Sequence, residues 1–262
     1  MDHLQTGRLW NKNAEAWTAM ARAGYDSYRD CLNTPAFMAM LPEVSKLTGL
    51  DIGCGEGHNT RLLARAGARM IGLDIAPQFL KHARQTELAD PCGIQYTQGS
   101  GLALPFPNRS FDFVTAFMSL MDMPDIARVL AEAHRVLRPG GFLQFSILHP
   151  CTNVPVRHKV KDAQGQDVAL TLAGYFQPLT GEIEEWSFSS APPAIRQQWP
   201  LFKVPRYTHT LSQWLNKLIE TGFAIERLSE PVPPVSGLQP PCTDIEDAQL
   251  MPYFLHLRVR KS

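Results

Sequence analysis

Over the first 150 residues, short apolar runs alternate with amphipathic stretches, a pattern that predicts βαβ units around a parallel sheet. Leu47 to Ile52 is mostly apolar and ends in a glycine cluster, as a buried strand does. Thr60 to Ala66 reads as a helix, with Asn59 or Thr60 placed to cap it and Gly67 to stop it. Arg69 to Leu73 is a second strand, and Pro77 to about Ala89 a second helix with proline in its first turn. Ile94 to Gln98 and Phe111 to Phe117 give a third and a fourth strand. The plainest helix runs from Pro124 to Leu137, where Ile126, Val129, Leu130, Ala133 and Leu137 share one face. Arg138-Pro139-Gly140-Gly141 ends it, and Phe142 to Leu148 is a fifth strand.

The pattern breaks after His149-Pro150. Residues 151–208 carry aromatic side chains and prolines without sustained periodicity. Regularity returns with a helix over Leu211 to Thr221, closed by Gly222, and strands over Ala224 to Leu228 and Phe254 to Val259. A proline-rich loop (Pro231, Pro233, Pro234, Pro240, Pro241) separates those two strands. The division expected is an N-terminal helical segment over 1–46 and a main domain over 47–262 with an insertion at 151–208.

Composition narrows the function. The 25 Lys+Arg balance the 25 Asp+Glu, so no positive excess is present to grip nucleic-acid phosphates. The longest apolar stretch, Phe113 to Met121, is interrupted by Thr115 and Ser119 and stops at Asp122, well short of a membrane span. The N-terminus has no apolar run that reads as a secretion signal, so a cytoplasmic protein is expected. The five cysteines are scattered without CxxC spacing, which indicates neither a metal site nor a disulfide framework.

The candidate chemistry lies in Leu50-Asp51-Ile52-Gly53-Cys54-Gly55-Glu56-Gly57, between a buried strand and a helix. Glycines at every second position let the backbone turn sharply and approach a ligand. A dinucleotide fingerprint would need glycine at 58, where His58 stands. Asp51 at the strand end suits a cationic ligand better than a pyrophosphate. At the end of the second strand, Asp74 can accept hydrogen bonds from both hydroxyls of a ribose.

Together the strings LDIGCGEG, GLDIAP, LPFPNRSFDFVTA and HRVLRPGG resemble, in order and spacing, the class I S-adenosylmethionine (SAM)-dependent methyltransferases, of the type 11 kind. The resemblance covers about residues 47–150. It implies an α/β, Rossmann-like seven-stranded sheet of order 3-2-1-4-5-7-6 with strand 7 antiparallel, and SAM as cofactor. It would set Gly53, Cys54 and Gly55 on the methionine and ribose part, and Asp51 near the methionine amino group. Asp74 would take the ribose hydroxyls, and Ile75 one adenine face. Ser100, Gly101 and Leu102 would lie by the adenine edge, and Phe117 beside the methionine moiety. Ser100 departs from the family, which often has Asp there; a backbone group such as the Leu102 amide can then take over adenine recognition.

Methyl transfer from a sulfonium is an in-line displacement with a neutral thioether as leaving group, and it dictates no particular catalytic residue. The candidates on the acceptor side are His149, at the end of the fifth strand, and His209, at the entry of the late helix, with Tyr207 behind them. The N-terminal segment is expected to fold over the cofactor, with Tyr25 or Tyr28 within reach of its carboxylate. Aromatic side chains and zero net charge point to a small-molecule O or N acceptor, with no nucleic-acid or membrane partner. Two other readings stay open: a SAM-binding protein without turnover, and an NAD(P)-dependent oxidoreductase.

Overall fold

The computed structural model describes residues 1–165, 167–233 and 242–262. Most of the proline-rich loop, 234–241, lies outside them. Within the described residues the parallel strands are β1 (Thr48–Ile52), β2 (Arg69–Asp74), β3 (Gln95–Gln98), β4 (Phe111–Phe117) and β5 (Leu137–Leu148). Two hairpins follow: β6 (Val156–Lys161) with β7 (Asp167–Ala173), and β8 (Thr180–Trp186) with β9 (Phe202–Tyr207). The sheet closes with β10 (Phe223–Ser229) and β11 (Phe254–Lys261). Its order is β3-β2-β1-β4-β5-β11-β10, which is 3-2-1-4-5-7-6 when the hairpin strands are left out. β11 runs antiparallel to both neighbours, as the resemblance implied.

The helices are α1 (His3–Arg22), α2 (Thr34–Met40), α3 (His58–Arg65), α4 (Pro77–Ala89), α5 (Ile126–Val136), the short α6 (Pro193–Arg196) and α7 (Leu211–Glu220). One core lies where α5 and α7 pack on β4, β5 and β11 around Leu130, Phe145, Trp214 and Leu257. A second lies on the opposite face around Phe37, Leu63, Met70 and Phe113. Both faces of the sheet are therefore covered, which explains why its strands read as near-continuous apolar runs.

Several local expectations are corrected. α3 starts at His58 on Gly57, not on a side-chain cap: Thr60 turns inward to Asp51, and Asn59 accepts from Thr34. α5 begins at Ile126, capped by Asp125, whose carboxylate accepts from the Arg128 amide. β5 starts at Leu137 rather than Phe142, because Leu137 already pairs with Phe111. The insertion is two hairpins. β6 is exposed along its whole length, so it carries no alternation for a sequence reading to detect.

The cysteines hold one more correction. Cys31 and Cys242 form a disulfide, their Cα atoms 5.7 Å apart across a sequence separation of 211 residues. It ties a π-helical turn at Arg29–Asn33 to the 242–249 segment ahead of β11. Spacing along the chain holds no trace of such a pair. Cys54, Cys92 and Cys151 are free thiols.

Candidate active site

The site is built where β1 ends. The Gly53 and Cys54 amides both donate to the Leu73 carbonyl, at 2.7 and 3.0 Å, so the chain leaving β1 bends across the end of β2. Gly53 (φ +71°) and Gly55 (φ +55°) hold the turn in the left-handed region, which L side chains enter at a cost. A Cβ at Gly53 would come within 2.4 Å of the Ser119 Cβ, so that position is closed by the protein itself. At Gly55 a Cβ would meet no protein atom within 4 Å, leaving open space over the turn.

Two carboxylates flank it. Asp51 is buried and accepts from the Thr60 and Thr115 hydroxyls at 2.6 and 2.9 Å. Asp74 is buried and accepts from the Gly55 and Ala76 amides, each at 2.8 Å. Burial pushes each carboxyl up to about 6, against the hydrogen bonds that favour the charged form. The charge of Asp74 raises Asp51 further. Among the described residues neither carboxylate forms an ion pair, so the two acids lack a cation. Burial, and then Asp74 and Asp51, push the Cys54 thiol well above its ordinary value, which suits packing and not nucleophilic attack.

These groups line a cavity of about 440 Å³. All ten positions singled out for a cofactor face it: Asp51, Gly53, Cys54, Gly55, Asp74, Ile75, Ser100, Gly101, Leu102 and Phe117. The volume lies in the range of small-ligand sites. The acid pair without a cation and the open space over Gly55 fit a ligand that carries a positive charge and vicinal hydroxyls. Ser100 is engaged locally: its Oγ accepts from the Leu102 amide at 3.2 Å, so that amide is also occupied.

The outer walls come from the elaborations. α1 packs so closely over Ile75 that a Cβ at Gly7 would come within 2.9 Å of its side chain. Trp17 of α1 packs on Trp186, Phe188 and Phe202 of the insertion, with centroids 4.9–5.4 Å apart. Tyr25 and Tyr28 both line the cavity, and the Tyr28 hydroxyl donates to Asp247.

Neither histidine lines this cavity. His149 is buried in the turn after β5; its Nδ1 accepts from the Cys151 amide at 3.1 Å and its Nε2 lies 2.8 Å from Glu230. Burial lowers its pKa, and Glu230 opposes the shift. His209 stands edge-on to Trp214, its buried Nε2 without a partner among the described residues, its pKa lowered by burial and then by Lys217. Both rings are held by the fold away from the cavity, and we assign neither an acceptor-side role. Tyr207 does line it, with its hydroxyl 3.0 Å from Thr6 Oγ1. A sequence reading also passed over Asp122, which enters the cavity from a turn after β4. There it had served only as the residue that ends an apolar run.

Comparison with known proteins identifies the family. The family described as "Methyltransferase domain" matches residues 50–145. A solved SAM-dependent methyltransferase from Mesorhizobium loti is 30% identical, with a TM-score of 0.70 over 87% of this chain and 96% of that one. A malonyl-[acyl-carrier protein] O-methyltransferase of Pectobacterium atrosepticum is 32% identical over 53% of this chain and 54% of its own length. A demethylmenaquinone methyltransferase of Tropheryma whipplei is 40% identical over 36% of this chain and 38% of its own. The chain thus spans about half or less of the curated relatives it matches. Fold, glycine turn, acid pair and a relative matched over nearly its full length lead to one conclusion: the chain belongs to the class I SAM-dependent methyltransferases.

Proposed function

We propose that the protein transfers a methyl group from SAM to a small-molecule O or N acceptor. The observation that carries this reading is the convergence of ten motif positions on one cavity whose two carboxylates have no cation. When bound, SAM supplies a methyl group on a sulfonium and a neutral thioether as leaving group. Asp74, fixed by the Gly55 and Ala76 amides, accepts from the ribose hydroxyls, and Asp51 holds the amino group. Gly53, Cys54 and Gly55 keep the backbone low beneath the ligand, Ile75 and Phe117 give apolar cover, and Ser100, Gly101 and Leu102 border the adenine.

The acceptor enters between α1 and the insertion, a chamber walled by Trp17, Trp186 and Phe188. Such a wall binds a partly apolar molecule and keeps water from the methyl group. The N-terminal segment serves as the lid. Among the described residues no helix is long and apolar enough to cross a membrane, and we infer that the protein acts in the cytoplasm. Reducing conditions there would hold Cys31 and Cys242 under pressure to open.

Thermal shift tests the cofactor reading. SAM and S-adenosylhomocysteine raise the melting temperature and NAD(P) does not; Asp74→Ala loses most of the shift. Stabilisation by NAD(P) alone, or a full SAM shift in Asp74→Ala, overturns it. A screen that finds binding but no methylated acceptor would favour a SAM-binding protein without turnover.

A further inference from the structure

Between the cofactor cradle and the acceptor chamber stands one carboxylate with no task in the fold. Asp122 ends a short 3-10 turn, Leu120–Asp122, after β4. It is half-buried and faces the cavity, and among the described residues nothing donates a hydrogen bond to its carboxylate. A half-buried carboxylate that faces a cavity and accepts no hydrogen bond from the described residues has no task in holding the fold.

Its position is fixed from both sides. The Ser119 hydroxyl donates to the Ile52 carbonyl at 2.6 Å and abuts Gly53. On the other side Met123 packs on Gly101, where a Cβ would come within 2.9 Å of the Met123 sulfur. The turn is therefore bolted to two of the glycines that form the cofactor floor. β9, a strand of the insertion, packs against it from the acceptor side.

Resting on the methyltransferase reading above, we propose that Asp122 is the acceptor-side base: it stands beside the donor methyl and takes the proton of an O–H or N–H acceptor. In the step, the acceptor heteroatom's lone pair forms the bond to the methyl carbon. The sulfur–methyl bond breaks with its electron pair going to sulfur, which becomes a neutral thioether. The acceptor's proton moves to Asp122 and from there to water.

Burial alone pushes the Asp122 carboxyl well above its ordinary value. A sulfonium beside it favours the charged form, which arms the base only when the methyl donor is present. The titratable groups packed around it do not replace that cation. Tyr207 on β9 is neutral, held above its ordinary value by burial, against the Thr6 hydrogen bond that lowers it. Arg206 on β9 is engaged by Asn153 and Val154, and Arg128 on α5 by the Leu102 carbonyl. Asp125 caps α5. Across the cavity floor stand Asp51 and Asp74, and His3 of α1 lines the same space.

Calorimetry in buffers of different ionisation enthalpy tests this without an acceptor. SAM and S-adenosylhomocysteine share the ribose and the amino group, so any protons lost from Asp74 and Asp51 cancel between them; only the sulfonium differs. Somewhere between about pH 6 and 8, SAM binding should release up to about one proton more than S-adenosylhomocysteine does. Asp122→Asn should remove that difference while both ligands still bind. Equal proton release in the wild type across the range, or a difference that survives in Asp122→Asn, overturns the proposal. If neither ligand binds, the cofactor reading fails instead. A second arm compares methylation of phenol, benzylamine and benzoate. Asp122→Asn should slow phenol or benzylamine by about 10²–10⁴-fold and leave benzoate, which has no proton to lose at neutral pH, within a few-fold. Equal slowing of all three contradicts a base. The calorimetric arm decides the placement whether or not a probe is methylated.

Discussion

Asp51 and Asp74 are costly residues for the fold, because each is a buried carboxylate with hydrogen bonds but no cation among the described residues. Burial pushes both up to about 6 in the folded state, against an ordinary value of 3.8. A raised carboxyl pKa means that the folded state binds protons more tightly than the unfolded one. The pair therefore contributes stability that is present below pH 4 and lost as the pH rises through 6. A cationic ligand reverses this by favouring the ionised form. SAM affinity should weaken as the pH falls below 6, by up to about tenfold per pH unit for each carboxylate that must ionise. A dissociation constant that stays flat from about pH 7.5 to 5 would contradict the pairing. Gly53→Ala should also fail: a Cβ at φ +71° costs about 1–2 kcal/mol before its 2.4 Å approach to Ser119 is counted. Its melting temperature should fall by at least about 2 °C, and its SAM shift should shrink. Most of these positions were legible in the sequence, since glycine spacing and strand-end acids are properties of short segments. Asp122 was not, because what marks it is the lack of partners, and only packing reveals that.

At the scale of elements, α5 shows how much the chain states outright: Ile126, Val129, Leu130 and Ala133 share a face, and that face is the buried one. The insertion shows the opposite case. β8 and β9 alternate only weakly, because their apolar side chains pack on α1 and not on a second strand layer. Trp17 is the hinge of that contact, packed on three insertion aromatics. Trp17→Ala should cost about 3–5 kcal/mol in denaturant unfolding; less than about 1 kcal/mol would mean that α1 and the insertion are loosely coupled. The Cys31–Cys242 bond joins the other side of the N-terminal segment to the segment before β11, beside Leu32, Ile245 and Phe254. Closing so long a loop should stabilise by about 2–4 kcal/mol. Cys31→Ser, or reduction of the wild type, should lower the melting temperature accordingly, whereas no change on reduction would show that the two thiols are unpaired in solution.

At the scale of the whole molecule, the division of labour follows the chain. The parallel strands and their turns carry the ten positions singled out for a cofactor, and this part resembles other members of the family. α1 and the two hairpins build the chamber above it, where no short motif governs the sequence. The boundary between them runs through the turn at Leu120–Asp122, in contact with both. The account therefore predicts one geometry, and a crystal structure with S-adenosylhomocysteine measures it directly. The ribose hydroxyls should lie on Asp74, the amino group near Asp51, and the sulfur should face Asp122 and the chamber walled by Trp186 and Phe188. A ligand bound elsewhere, or one whose sulfur points away from that chamber, would contradict the account.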